Sequence, residues 1–253
     1  MVARVQPSVA PPMRLASPGA GKLGEVSALD EVGSLQHETL GERVTGELRA
    51  LLIAGRLAPG EKLSLRRVAE ALGVSMMPVR EAVSRLAADK ALEVLPGRAV
   101  RVPVLTLAQF RELTRIRLVV EGFAAEEATK VITDAQIAVV AQHEAAFLAA
   151  AKDPPDPAAA VGANRDLHFA LYEAAGMPSL IEMISRLWLK AGPILNLDMR
   201  HEPRRLDGGS AVVAHAQLLA ALRRRDPAAA RQALVEDISA AADHIERTAR
   251  LAE

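Results

Sequence analysis

The chain has 253 residues, with 31 Lys and Arg set against 31 Asp and Glu, so it is long enough for one or two domains and is no polycation. Half of its residues are hydrophobic and only 2% are aromatic, a globular balance that favours helices over strands. With no cysteine it cannot carry a disulfide scaffold, a thiolate metal site or a cysteine nucleophile, which fits a reducing cytoplasm.

Residues 1–35 are rich in Pro, Gly, Ala and Ser without periodicity and read as a disordered leader. Prolines interrupt them before any signal-peptide apolar core forms. No apolar run in the chain reaches the roughly 18 residues a membrane helix needs. From 36 to 105 the pattern changes. Leu40, Val44, Leu48, Leu51 and Leu52 fall at helical spacing within Glu38–Ala54, stopped by Gly55. A second helix starts at the N-cap Ser64 and ends at Gly73. A third starts at Ser75 and presents Val79, Ala82, Val83 and Leu86 on one face. Ala91–Leu95 and Ala99–Leu105, joined by Pro96-Gly97-Arg98, read as a β-hairpin. This segment holds 11 basic and 8 acidic residues, a local excess of +3. The remainder, 106–253, reads as helix throughout: 106–131, 134–152, 157–175, 178–197, 210–224 and 226–251. Its breaks fall at Pro154-Pro155, Gly176-Met177-Pro178 and 201–209.

The second and third helices, joined by Gly73-Val74-Ser75, form a helix-turn-helix pattern. Glycine suits the tight turn. Ser75 is placed to cap the third helix, and Pro78 in its first turn costs no needed N–H. The N-terminus of this helix suits a phosphate. Arg80 and Arg85 are expected to project beyond it, with Arg66 on the preceding helix. A hairpin wing would bring Gly97 close to a DNA backbone, with Arg98 beside it. By pattern alone, a helical bundle with surface arginines explains these residues as well.

The full run is more specific. LRALLIAGRLAPGEKL (48–63) and the following 65–102, above all GVSMMPVREAVSRL (73–86), resemble the winged helix-turn-helix of the GntR family of bacterial repressors. The resemblance implies that Arg66, Ser75, Arg80 and Gly97 occupy DNA-contacting positions. Members usually carry Arg-Thr after the serine of the turn, where this chain has Met76-Met77. Met76 either touches a thymine methyl or packs; it cannot make bidentate bonds to guanine.

In the helical part, Asn164 and His168 are four apart and share a helix face, while Asp166 points away. His215 lies on a separate helix, and Asp237 and His244 on the last. An amide oxygen, two imidazoles and a carboxylate converging in a bundle would suit a divalent metal; a metal-free polar pocket is the alternative. Arg117 and Glu121, also four apart, are either an ion pair bracing the core, or Arg117 turns into a cavity to bind an effector carboxylate.

RIRLVVEGFAAEEA, NRDLHFALYEAAGMPSL (164–180) and AHAQLLAALRRRDPAAARQAL (214–234) resemble the all-helical FCD effector domain of the FadR subfamily. Many such domains hold a metal through Asp or Asn and three His. The resemblance implies ligands Asn164, His168 and His215, with the third His position falling on Asp237, and a metal such as Zn, Mn or Ni. It also implies a small organic acid as effector. The expected fold is mainly α: a winged helix-turn-helix at 36–105, then a helical bundle at 106–253. The expected function is a cytoplasmic, ligand-responsive regulator, a repressor, binding a near-palindromic double-stranded operator as a homodimer. A metal-dependent enzyme built on the helical domain is the competing reading.

Overall fold

The computed structural model describes residues 39–152, 155–201, 209–248 and 251. Residues 36–38 and the leader lie outside them. Glu38–Glu253 form one compact unit. Among the described residues are nine α-helices and one small antiparallel sheet, the mainly helical architecture expected.

Helix α1 (Leu40–Ile53) opens on a capping box: Thr39 accepts from the Glu42 N–H, and Glu42 accepts from the Thr39 N–H. Its apolar face buries Val44, Leu48 and Leu52. Strand β1 (Lys62–Leu63) leads into α2 (Leu65–Leu72), capped by Ser64 through the Arg67 N–H. Gly73 ends α2 at φ 64°, a left-handed conformation that glycine adopts without penalty. Helix α3 (Met76–Ala88) follows. Ser75 is its N-cap residue, but its hydroxyl makes no capping hydrogen bond, contrary to expectation. Val79, Ala82, Val83 and Leu86 are buried, as their spacing predicts.

The wing is shorter than its sequence reads. Strands β2 (Glu93–Val94) and β3 (Val100–Arg101) pair around a tight turn at Pro96–Arg98, and β1 adds to the other edge of β3. Ala91 and Leu92 leave the ladder because they fold into the core behind α3, and Pro103 has no N–H to continue it. Arg101 sits opposite Glu93 and bonds it at 2.6 Å.

Helix α4 (Leu107–Val131) and α5 (Asp134–Ala150) each begin with a capping box, Thr106 with Gln109 and Thr133 with Gln136. Then come α6 (Pro157–Glu173), α7 (Pro178–His201), α8 (Ser210–Arg224) and α9 (Pro227–Thr248). Helix α7 continues past Pro193 instead of ending near 197. Trp188, Leu189, Ala191 and Ile194 are all buried around the proline, so packing holds the turn that a missing N–H weakens. The break expected at 201–209 falls largely on 202–208, outside the described residues.

Helix α7 also serves the N-terminal part. Leu189 belongs to the core formed by Val44, Leu48, Leu52 and Val83. At Gly192 the end of α1 approaches so closely that a Cβ would lie 2.5 Å from the Leu52 carbonyl oxygen and 2.6 Å from that of Ile53. Both obstacles are backbone. Gly192→Ala is therefore expected to destabilise the protein by about 1–3 kcal/mol, the usual cost of overpacking. Gly46→Ala, in the exposed interior of α1 with nothing within 4 Å of the added carbon, should instead stabilise by about 0.5–1 kcal/mol. Urea unfolding of the two variants checks both signs.

Candidate functional site

Among the described residues, the helical bundle buries eight polar or charged ones, and seven of them (all but Asn196) are Arg117, Glu121, Thr129, Glu144, His168, His215 and Asp237. Six of these seven, all but Thr129, build one constellation. Helix α4 contributes Arg117 and Glu121, one turn apart on its inward face. Helix α5 contributes Glu144, α6 His168, α8 His215 and α9 Asp237.

His168 Nε2 lies 3.2 Å from Asp237 Oδ2, and His215 Nε2 lies 3.8 Å from Asp237 Oδ1. The ligand atoms of all three residues fall within 4.8 Å of one another. Among the described residues this cluster takes Asp237 and leaves out His244. Asn164, one turn before His168, lines the same cavity of about 60 Å³, together with Arg117, Trp188, Ser210 and Ala211. That volume admits a few water-sized groups. A larger cleft of about 570 Å³ between the wing and α4, bordered by Val94, Val104, Ile116 and Lys190, lies apart from these ligands.

The opposite ring nitrogens are tied outward. Glu144 Oε2 sits 2.7 Å from His215 Nδ1. A carboxylate only accepts, so Nδ1 carries the hydrogen and Nε2 keeps the lone pair in the neutral ring. That Nε2 is buried without a hydrogen-bond partner among the described residues. On the other ring, His168 Nδ1 lies 3.0 Å from the Tyr172 hydroxyl, which donates to Glu121 at 2.5 Å. Glu121 also accepts from Trp188 Nε1 at 3.1 Å and from two nitrogens of Arg117 at 2.6 and 3.2 Å. Arg117 is thus paired with Glu121 and also lines the cavity. Its guanidinium lies 5.1 Å from the Trp188 ring centre.

The electrostatics follow from this packing. Burial opposes a charged His215, yet the Glu144 hydrogen bond and the charges of Asp237 and Glu144 raise its pKa above the ordinary histidine value. Burial also disfavours a charged Asp237, but the His168 hydrogen bond and the charges of both histidines and Arg117 hold its pKa below the usual carboxylate range. A raised histidine pKa adds stability that is complete below the unfolded-state value, about 6.5, and is lost as the pH rises through the folded-state value. Metal-stripped protein is therefore expected to lose this part of its stability on going from pH 6 to 8. Melting temperatures in chelator across that range check the sign; a rise would contradict it.

At the other end of the chain, Arg80 stands on the exposed side of α3, without an ion pair among the described residues. Ser75 is exposed at its N-terminus. Arg66 is exposed on α2 and paired with Glu70 at 2.9 Å, an exchangeable surface contact. Gly97 occupies the wing tip at φ 78° with open space around it. The side chain of Arg98 lies outside the described set. One expectation fails here. Arg85 does not project beyond the start of α3; it lies in the last turn, bonded to Glu81 at 2.6 Å and facing Glu42 of α1. Met76 is half-buried and packs against the core of this part. Met77, which sequence reasoning passed over, is the exposed one at 74%.

Comparison with known proteins bears on both ends. Residues 40–102 match the model of bacterial regulatory proteins of the gntR family, and residues 112–240 match the FCD domain. The chain is 35% identical over 205 residues to the HTH-type transcriptional regulator McbR of Escherichia coli K12, covering 81% of this chain and 91% of that protein. The chain belongs to the GntR family. It is a DNA-binding transcriptional regulator with an FCD effector domain, which sets aside the enzyme alternative. The solved structure of E. coli McbR/YncC superposes with a TM-score of 0.74 at 32% identity, covering 80% of this chain and 95% of that one. A putative GntR regulator from Rhodococcus sp. RHA1 gives 0.69 at 26% identity, covering 83% and 99%. The gluconate operon repressor of Bacillus subtilis is 34% identical over 97 residues, 38% of this chain and 40% of that protein. Among the described residues, no helix is long and apolar enough to cross a membrane.

Glu144 and two neighbours of the buried constellation, Tyr172 and Trp188, have no signal in the sequence. Glu144, Tyr172 and Trp188 sit in unremarkable helical contexts, and their partners are 71, 51 and 67 residues away. The i,i+4 step from His168 to Tyr172 is the single local clue.

Proposed function

We propose that this GntR-family regulator is a cytoplasmic repressor whose FCD domain holds a divalent cation and senses a small carboxylate. Residues 36–105 read DNA and 106–253 sense the effector and dimerise. His168, His215 and Asp237, with Asn164 beside them, would hold the cation, of the Zn, Mn or Ni class. The observation that carries this reading is the buried His215 Nε2, which has a lone pair in the neutral ring, no hydrogen-bond partner among the described residues and a carboxylate 3.8 Å away. A buried lone pair facing a carboxylate is unfavourable without a proton or cation between them. The oxygen in the donor set makes it harder than three imidazoles, and so more tolerant of Mn. When bound, the cation would supply Lewis-acid attraction for an anionic ligand.

Arg117 supports the carboxylate assignment. Its planar fork borders the cavity and is held in place by Glu121 and Trp188, ready to bond a second oxygen of the ligand. On the DNA side, Arg66, Ser75, Arg80, Gly97 and Arg98 form the contact set, with Arg80 reading bases and the start of α3 facing phosphate. One recognition helix reads too few base pairs for specificity, so a homodimer on a near-palindromic operator is expected. The effector alters DNA affinity only by preferring one arrangement of the two DNA-reading units.

A thermal-shift panel of small mono- and dicarboxylates, run on metal-loaded and metal-stripped protein, tests the sensing role. At least one acid should raise the melting temperature of loaded protein, and Arg117→Lys, which keeps the charge but loses the fork, should blunt that shift. The same acid should change operator affinity. If no carboxylate shifts loaded protein, the effector class is wrong.

A further inference from the structure

The two histidines of the cluster are anchored differently, and the difference singles out one residue. His168 leans on Tyr172, a neutral group, which passes to Glu121; that carboxylate is already matched by the bidentate Arg117 guanidinium. His215 leans directly on Glu144, whose side chain is 7% exposed and has no Lys or Arg partner among the described residues. The His215 ring is held from a second side by Phe147, edge-on with ring centres 5.1 Å apart. Glu144 and Phe147 are three apart on α5, so one helix face sets both the position and the tilt of this imidazole.

The charge count points the same way. Among the described residues, three buried carboxylates, Glu121, Glu144 and Asp237, face one buried guanidinium, Arg117. An excess of two negative charges in a nearly dry interior is costly unless a cation matches it. With neutral rings, a divalent ion at the two Nε2 atoms and Asp237 balances the excess. Glu144 supplies one of those charges although it lies too far outward, behind the ring, to be a ligand itself.

We infer that Glu144 is a positioning residue for the metal: it fixes His215 with Nδ1 as donor and Nε2 as ligand, and provides the second negative charge that suits the site to a divalent ion. This rests on the metal reading above. Outer carboxylates of this kind typically change metal affinity 10–100-fold when removed. A bare structural brace would act differently, lowering stability equally with and without metal.

The test uses the full chain with zinc alone, in competition with a chromophoric chelator. Wild type should bind one zinc per chain. Glu144→Ala should weaken binding about 10–100-fold. Glu144→Gln, which keeps size and a hydrogen-bond acceptor but not the charge, should fall between the two. In zinc-loaded wild type, long-range proton–nitrogen spectra should show His215 protonated at Nδ1, and the zinc-free Ala variant should lose that fixed tautomer. If Glu144→Ala does not fold, Glu144→Gln decides alone. Zinc affinity within twofold of wild type in the folded variants overturns the role of Glu144 and leaves the metal site standing. Failure of wild type to bind zinc overturns both.

Discussion

Arg80→Ala is expected to lower affinity for the specific operator by about 5–160-fold, corresponding to the roughly 1–3 kcal/mol that a bidentate base contact carries. The fold should survive. Arg80 is exposed on α3, whereas Val79 and Val83 are 0% and 5% exposed and belong to the core. A surface change of this kind usually stays within about 0.5 kcal/mol of wild-type stability. The measurement needs a site selected from random DNA with wild-type protein, binding isotherms at one fixed salt concentration, and unfolding midpoints for both proteins. Salt must be fixed because phosphate contacts alone make affinity steeply salt-dependent. Equal operator affinity for mutant and wild type would move the recognition surface away from α3.

The second large effect concerns the buried cluster. The double variant His168→Ala, His215→Ala should lose all metal-dependent stabilisation. A ligand that binds only the folded state adds about 2.7 kcal/mol when present at a hundred times its dissociation constant, so wild type should melt several degrees higher with metal than with chelator. The double variant should melt at one temperature in both. The pH dependence has a definite sign. Both rings must be unprotonated to ligate, and Glu144 and Asp237 raise the His215 pKa. Metal stabilisation should therefore shrink as the pH falls, beginning above the ordinary histidine value of about 6.5. The metal-free protein has the opposite trend over the same range, so the gap between loaded and stripped protein should widen steadily from pH 6 to 8.

Where physics is local, the sequence was readable. Thr39 with Glu42, Thr106 with Gln109 and Thr133 with Gln136 each satisfy orphan N–H groups within three residues, and Gly73 alone ends α2. The spacing of Val79, Val83 and Leu86 chose the buried face of α3. Strand β1 was not readable: two residues carry no alternation, and their partners, Arg101 and Val100, lie almost forty positions on. Met76 and Met77 are alike as residues; the angle of α3 on its core decides which one is buried. In the cavity, Asn164 and His168 were paired by helical spacing, and Arg117 with Glu121 likewise. His215 and Asp237 came through family resemblance. Glu144 and Trp188 are set by how α5 and α7 dock on their neighbours, a tertiary arrangement with no local signature.

Elemental analysis of protein purified without an affinity tag tests the central claim most directly. About one divalent ion per chain is expected, retained through dialysis at pH 8 and lost to chelator together with the added thermal stability. Metal-free protein whose melting temperature is unmoved by Zn, Mn or Ni would contradict it, leaving His168, His215 and Asp237 as a metal-free polar pocket with Arg117 as the principal anchor for an anionic effector.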